Sequence, residues 1–193
     1  MTETINLHID SQLKRMRERS QTTTPPPVIV DEKKYIVLDI ETTGFNPKKD
    51  RITEIAAVRI DTDGNKLGVW QQLFHVEHVP IKVQQITNIT TEMLVRAPRI
   101  EEMAQSFRDF IQESVLIGHN IDKFDIKFLD HYGLTRRHST IDTLDLARKS
   151  LPQSENHKLG TLCEYFSIDH QSAHRALGDA YATIELYKHL TNK

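Results

Sequence analysis

Two acids interrupt the apolar run Tyr35-Ile36-Val37-Leu38-Asp39-Ile40-Glu41-Thr42-Thr43-Gly44-Phe45. Asp39 and Glu41 are two apart, so on a strand both side chains point to one face, with Cα atoms roughly 6.5–7 Å apart. Unpaired carboxylates on a buried strand are costly. The usual compensation is a cation, and hard divalent ions such as Mg²⁺ take oxygen ligands of this kind. A bare D-x-E is equally the mark of a strand end that meets solvent, so the other acids decide. Asp125 stands among Phe124, Ile126 and Phe128, just after Gly118-His119-Asn120. An acid on the first turn of a helix is by itself only a partner for the helix dipole. Asp122 and Asp130 read as solvated. Near the end, His174 and Asp179 are five apart and do not share a helix face. His174 therefore falls at or just before the first turn, and Asp179 faces the sheet. The remaining histidines read as surface residues.

These groups need elements to hold them. Tyr35 onward is a short strand of β-formers, ended by the turn at Gly44. Thr53 to Ile60 and Lys66 to Val76 read as further strands, joined by the hairpin turn Asp61-Thr62-Asp63-Gly64-Asn65. Residues 80–99 are a connection, with a short helix around Thr91-Glu92-Met93-Leu94. The helical period of Ile100, Met103, Ala104, Phe107, Phe110 and Ile111 predicts a helix to Gln112. Val115 to Gly118 is a buried strand and Asp122 to Tyr132 a helix with Phe124, Phe128 and Leu129 inward. Ser139 to Ile141 is one more short strand, and Asp142 caps the helix that follows. Two further helices fit 158–166 and 174–190. The sum is an α/β chain with a mixed five-stranded sheet flanked by helices.

Residues 1–33 differ in character. Ile9, Leu13 and Met16 make a short apolar stripe beside Lys14, Arg15, Arg17 and Arg19, and a polar stretch then leads to Pro25-Pro26-Pro27. This reads as a polar, basic arm with a stiff proline-rich linker, ahead of a domain over 34–193. The net charge of −2 argues against a protein that coats nucleic acid by bulk charge. Cys163 is the single cysteine, so no disulfide forms within the chain, which suits a reducing cytosol. No apolar stretch reaches membrane-spanning length, and a cytoplasmic location is the expectation.

The order D-x-E-T-T-G, then H-N-x-x-x-F-D, then H-x-x-x-x-D resembles the DEDDh family of 3′→5′ exonucleases. That group includes the proofreading epsilon subunit of bacterial DNA polymerase III, the exonuclease domain of Gram-positive replicative polymerases, ribonuclease T and the TREX enzymes. The resemblance runs from about Tyr35 to Leu190. One departure appears: three residues separate Asn120 from Phe124, where many relatives have two. A tyrosine-type relative would carry Tyr four residues before the last acid, where this chain has Arg175. The resemblance implies a ribonuclease H-like fold and two Mg²⁺ or Mn²⁺ ions held by Asp39, Glu41, Asp125 and Asp179. It implies His174 as the general base, an imidazole being suited to proton transfer near neutral pH. It places the terminal nucleotide against Thr42, Thr43, Gly44 and Phe45, with Phe45 as a wedge beside the bases. Ile89 in the 86–90 segment covers the terminal base, and His119 and Asn120 are polar groups on the substrate side. Phosphate neighbours are sought among Lys48, Lys49, Arg51, Lys123, Lys127, Arg136, Arg137, Lys158 and Arg175.

The implied activity is release of nucleoside 5′-monophosphates from 3′ ends of DNA, single-stranded by preference, in proofreading, repair or end trimming. A DNA polymerase or another replication or repair protein is the implied partner, with no membrane involved. Two other readings compete: an exoribonuclease acting on short RNA or tRNA ends, and a non-catalytic module that binds nucleic acid or a polymerase. A module without catalysis would not need all five groups.

Overall fold

The structure is a computed structural model that describes residues 34–191. The arm, with its stripe of Ile9, Leu13 and Met16 and its proline spacer, lies outside the described residues. β1 (Tyr35–Thr42), β2 (Ile52–Ile60) and β3 (Lys66–Leu73) form an antiparallel meander. β3 stops short of the expected Val76 because the chain turns off the sheet there. The His75 N–H donates to Pro98 O at 2.9 Å, and Val76 packs with Val79, Ile89 and Leu94 in a separate small cluster. The connection carries a helix that the sequence did not signal, α1 (Ile81–Thr87), ended by Asn88 in the left-handed conformation. Its only buried residue is Thr87, so it has no apolar stripe to read. α2 (Thr91–Leu94) follows, then α3 (Ile100–Ile111), which buries Ile100, Ala104, Phe107 and Ile111.

β4 (Val115–Gly118) returns parallel to β1, and β5 (Thr140–Asp142) lies parallel to β4. The sheet order is β3-β2-β1-β4-β5, the mixed five-stranded sheet expected. Between β4 and β5 runs α4 (Asp125–His131). It begins at Asp125 rather than Asp122, because Asn120 takes a left-handed φ of 65° and the next residues turn before the helix starts. α5 (Thr143–Ser150) is capped by Asp142, whose carboxylate accepts from Leu144 N at 2.9 Å. α6 (Leu159–Phe166) and α7 (Ala176–Thr191) complete the domain. Among the described residues no helix is long and apolar enough to cross a membrane.

The two faces of β1 are divided by its period of two. Ile36, Leu38 and Ile40 join Phe107 and Ile111 of α3 and Phe128 and Leu129 of α4 in the larger core. Val37, on the other face, packs with Ala180, Ile184 and Tyr187 of α7. Asp39 and Glu41 continue the Val37 row, so α7 lies over the same face as the two acids. Buried anchors such as Phe128 are worth roughly 3–5 kcal/mol on truncation to alanine, which fixes the sheet as a rigid base for the site.

Candidate active site

β1 delivers Asp39 and Glu41 at its C-terminal end, where its pairing with β2 shifts register between Glu41 and Thr42. α7 delivers Asp179 from its first turn. One carboxylate oxygen from each of these three lies within 4.8 Å of the others. Asp125 stands one step back. It is 3% exposed at the first residue of α4, beside Asp39, and accepts the backbone N–H of Ile40. The structure therefore converges three of the four predicted acids and buries the fourth close to Asp39, against the Ile40 backbone.

The electrostatics fit a cation. Asp39 is held well above the ordinary carboxylate range, first by burial and then by the charges of Asp125, Asp179, Glu41 and Glu54. Burial pushes Glu41 up to about 8, with Asp179, Glu54 and Asp125 adding repulsion and Arg175 opposing it. Burial also pushes Asp125 up to about 8, against the N–H groups of Asp125 and Ile40 that it accepts. Acids so placed cannot all ionise together without a positive charge among them. An all-oxygen donor set is what Mg²⁺ and Mn²⁺ take.

This arrangement predicts the pH dependence of the metal-free chain. Folded pKa values above the unfolded ones mean that the folded state binds more protons, so stability falls as pH rises from about 4.5 toward 8. Burial lowers the pKa of His119, which works the opposite way below its ordinary value. In EDTA the chain should melt several degrees higher at about pH 6 than at about pH 8.5. Saturating Mg²⁺ should remove most of that difference. A melting temperature that rises with pH in EDTA would mean that the acids are not under mutual strain.

Asp179 is held from two sides. The His174 backbone N–H donates to its Oδ2 at 3.1 Å, and His170 Nε2 contacts its Oδ1. His174 precedes α7, with a left-handed φ of 63°, and its residue lines the same groove as Asp39 and Asp179. A non-glycine residue held there marks a conformation imposed by its surroundings. Part of the cause is Gly178: a Cβ at that position would run into the Ser172 carbonyl, so its absence lets the loop lie close on α7. His170 corrects the expectation of a surface histidine, its side chain being only 15% exposed.

The sequence reading also missed Glu54. It is fully buried on β2, directly opposite Glu41. Its carboxylate accepts from Arg175 Nε at 3.0 Å and Nη2 at 2.9 Å, from Ala176 N at 3.2 Å and from Gln71 Nε2 at 2.7 Å. Alternation along Thr53-Glu54-Ile55 suggested only a strand residue, and nothing local signals a partner 121 residues away. The pair ties the start of α7 to β2. It also removes Arg175 from the candidate phosphate neighbours, since its guanidinium is already committed.

The substrate-side predictions divide. Phe45 is 90% exposed at the mouth of the site, its ring 6.2 Å from Phe124, which in turn lies 5.2 Å from buried Phe128. It is not a core residue. The backbone before it is fixed: the Thr43 N–H donates to Arg51 O at 2.8 Å, and the Thr42 hydroxyl donates to Gly44 O. Gly44 lies close to the Asp50 carboxylate, which a Cβ there would meet at 2.6 Å and have to displace. Ile89 is a correction. It is 0% exposed, packed with Val76, Val79 and Leu94, and so shapes its loop from behind rather than facing a base. Both ring nitrogens of His119 are engaged by the protein. Nε2 donates to His157 O at 2.8 Å, so Nδ1 is left to accept from the Thr143 hydroxyl at 2.9 Å. The ring thus fixes the end of β4 and has no nitrogen to spare. The Asn120 N–H donates to Asp142 Oδ1 at 2.8 Å, which holds that turn open. Arg136 and Arg137 line a cavity with Ser114 and Val115, at the opposite end of β4.

Comparison with known proteins agrees with this geometry. The RNase T family profile, described as exonuclease, matches residues 36–187. The chain is 33% identical over 162 residues to DNA polymerase III subunit epsilon of Aquifex aeolicus, covering 79% of this chain and 78% of that protein. It is 36% identical over 159 residues to the PolC-type DNA polymerase III of Clostridium perfringens, covering 80% of this chain but only 11% of that protein. The chain thus spans about a tenth of the PolC-type relatives. Among solved structures, a zinc-bound complex of E. coli exonuclease I with single-stranded DNA superimposes with a TM-score of 0.74 at 23% identity, over 83% of this chain and 41% of that one. The shared architecture is the ribonuclease H-like sheet.

Proposed function

Since the chain belongs to the RNase T exonuclease family as a DEDDh-type 3′→5′ exonuclease, we propose that it hydrolyses DNA from single-stranded 3′ ends and releases nucleoside 5′-monophosphates. The observation that carries this reading is the convergence of Asp39, Glu41 and Asp179 oxygens within 4.8 Å, backed by Asp125. These four would hold two Mg²⁺ or Mn²⁺ ions. When bound, such ions stabilise charge on the attacking and leaving oxygens of a phosphodiester. The protein's own groups do the rest. His174 takes the proton from the attacking water, and His170 and the His174 N–H hold Asp179 in place. The rigid backbone at Thr42, Thr43 and Gly44 lies against the terminal nucleotide. The relatives that carry this domain in replicative polymerases support a DNA substrate and a role beside a polymerase in proofreading or repair.

Phe45 is the wedge in this reading. An exposed ring backed by Phe124 can stack on a base without reading sequence, and this is worth roughly 1–3 kcal/mol per base. Prying a paired base open costs a few kcal/mol, so unpaired ends are preferred. Phe45→Ala should weaken oligonucleotide binding by up to about a hundredfold, with melting temperature unchanged. Unchanged affinity would remove the wedge.

The test of the function is digestion of 5′-labelled single-stranded, duplex and mismatched DNA, with matched RNA alongside, in Mg²⁺, Mn²⁺ and EDTA. Metal-dependent shortening from the 3′ end, fastest on single-stranded and mismatched DNA, is expected. Faster release from RNA would move the substrate to RNA. No release in any metal would leave a binding module.

A further inference from the structure

The groove that contains Asp39, His174 and Asp179 has a volume of about 910 Å³ and is walled on one side by the start of α6. Its charge is unbalanced. Asp39, Glu164, Asp169 and Asp179 line it, and among the described lining residues Lys158 is the one permanently cationic side chain. A nucleic-acid strand carries a negative charge on every phosphate. Metal ions would answer the phosphate at the scissile bond, but the next one along the strand enters a wall of acids. We propose that Lys158 forms a subsite for a backbone phosphate 5′ of the scissile one, an inference that rests on the exonuclease reading above.

The placement supports this. A second cavity of about 580 Å³ is also lined by His119, Lys158 and Leu159, so Lys158 borders both the groove and the space beside it. Its backbone is fixed. The Lys158 N–H donates to Asn156 Oδ1 at 3.0 Å, and the preceding carbonyl, that of His157, accepts from His119 at the end of β4. The side chain is exposed and has no acid partner among the described residues. Gly160 beside it leaves open space where a Cβ would stand. Arg175 is committed to buried Glu54, and Arg148, which lines the second cavity, makes an exposed ion pair with Asp145 at 3.2 Å. A point charge of this kind reads phosphate rather than base or sugar, so DNA and RNA strands are gripped alike.

The experiment measures binding of a fluorescein-labelled short thymidylate strand to the full chain by anisotropy, with Ca²⁺ replacing Mg²⁺, across about 50–200 mM salt. Lys158→Ala should raise Kd roughly three- to tenfold at the lowest salt and shrink the log–log salt slope by about 0.7, the value of one single-strand phosphate contact. Lys158→Arg should restore both, and a matched uridylate strand should show the same pattern. Lys149→Ala, which removes an exposed lysine of α5 that lines neither cavity, is the control and should leave the slope intact. An unchanged Kd and slope for Lys158→Ala, or an equal loss for Lys149→Ala, overturns the proposal. In parallel, the wild-type chain is given the nitrophenyl ester of thymidine 5′-phosphate with Mn²⁺. Failure to cleave that ester counts against the enzyme reading by itself, because the anisotropy arm still decides the role of Lys158.

Discussion

Alanine at Asp39, Glu41, Asp125 or Asp179, one at a time, should lower turnover by at least about 10³-fold. Charge stabilisation by the ions these acids hold is worth several kcal/mol, and each 1.36 kcal/mol is a factor of ten. The fold should survive, and in EDTA the variants at Asp39 and Glu41 should melt at or above the wild-type temperature, because each relieves repulsion within the cluster. Asp125 is the informative case. It lies outside the tight group of three and accepts the Ile40 N–H. Asp125→Ala would strand that donor, so Asp125→Asn is the cleaner variant: it keeps an acceptor and removes the charge. Circular dichroism with a single-turnover digestion assay separates loss of fold from loss of chemistry. Near wild-type turnover in Asp125→Asn would show that the longer middle motif supplies a different acid.

His174→Ala should lower turnover by about 10²–10⁴-fold, the usual contribution of a general base, while metal affinity measured by calorimetry stays within about twofold. His170 supplies the contrast. It contacts Asp179 directly through its ring, whereas His174 offers Asp179 its backbone N–H and is an exposed residue lining the groove. The His174→Ala loss should appear in kcat, with the basic form of an imidazole missing from the pH profile. His170→Ala should act through Asp179, as a loss of metal affinity that added metal partly repairs. If the two variants exchange these signatures, His170 is the base and His174 only shapes the turn.

The strands were legible because short runs of β-formers bounded by turns, with side chains alternating between faces, need no distant information. β4 falls over Val115–Gly118 as read, and β1 starts at Tyr35. The same local rule put Asp39 and Glu41 on one face, and Asp142 at the cap of α5 was visible from its type and position. Where the local signal was weak, boundaries slipped. α1 buries only Thr87 and passed unseen, and α4 starts late because the turn at Asn120 depends on the Asp142 carboxylate. The site divides along the same line. The types and order of Asp39, Glu41, Asp125, His174 and Asp179 were in the sequence, and so was the resemblance they carry. The resemblance put both Phe45 and Ile89 on the substrate side; only packing separates them, leaving Phe45 exposed as expected and Ile89 buried.

The sequence by itself determined the strand that carries two acids on one face, the helices that bring two more, and the family to which that order belongs. These follow from spacing, which covalent geometry converts directly into direction. Only the tertiary structure decided that Glu54 is fully buried against Arg175, that His170 holds Asp179, that His119 spends both nitrogens on the protein, and that Lys158 is the one permanently cationic side chain among the described residues lining the groove. Each is a meeting of groups far apart in the chain. Such meetings are fixed by how α6 and α7 pack on the sheet, because burial makes an unpaired charge costly and selects the partner that satisfies it.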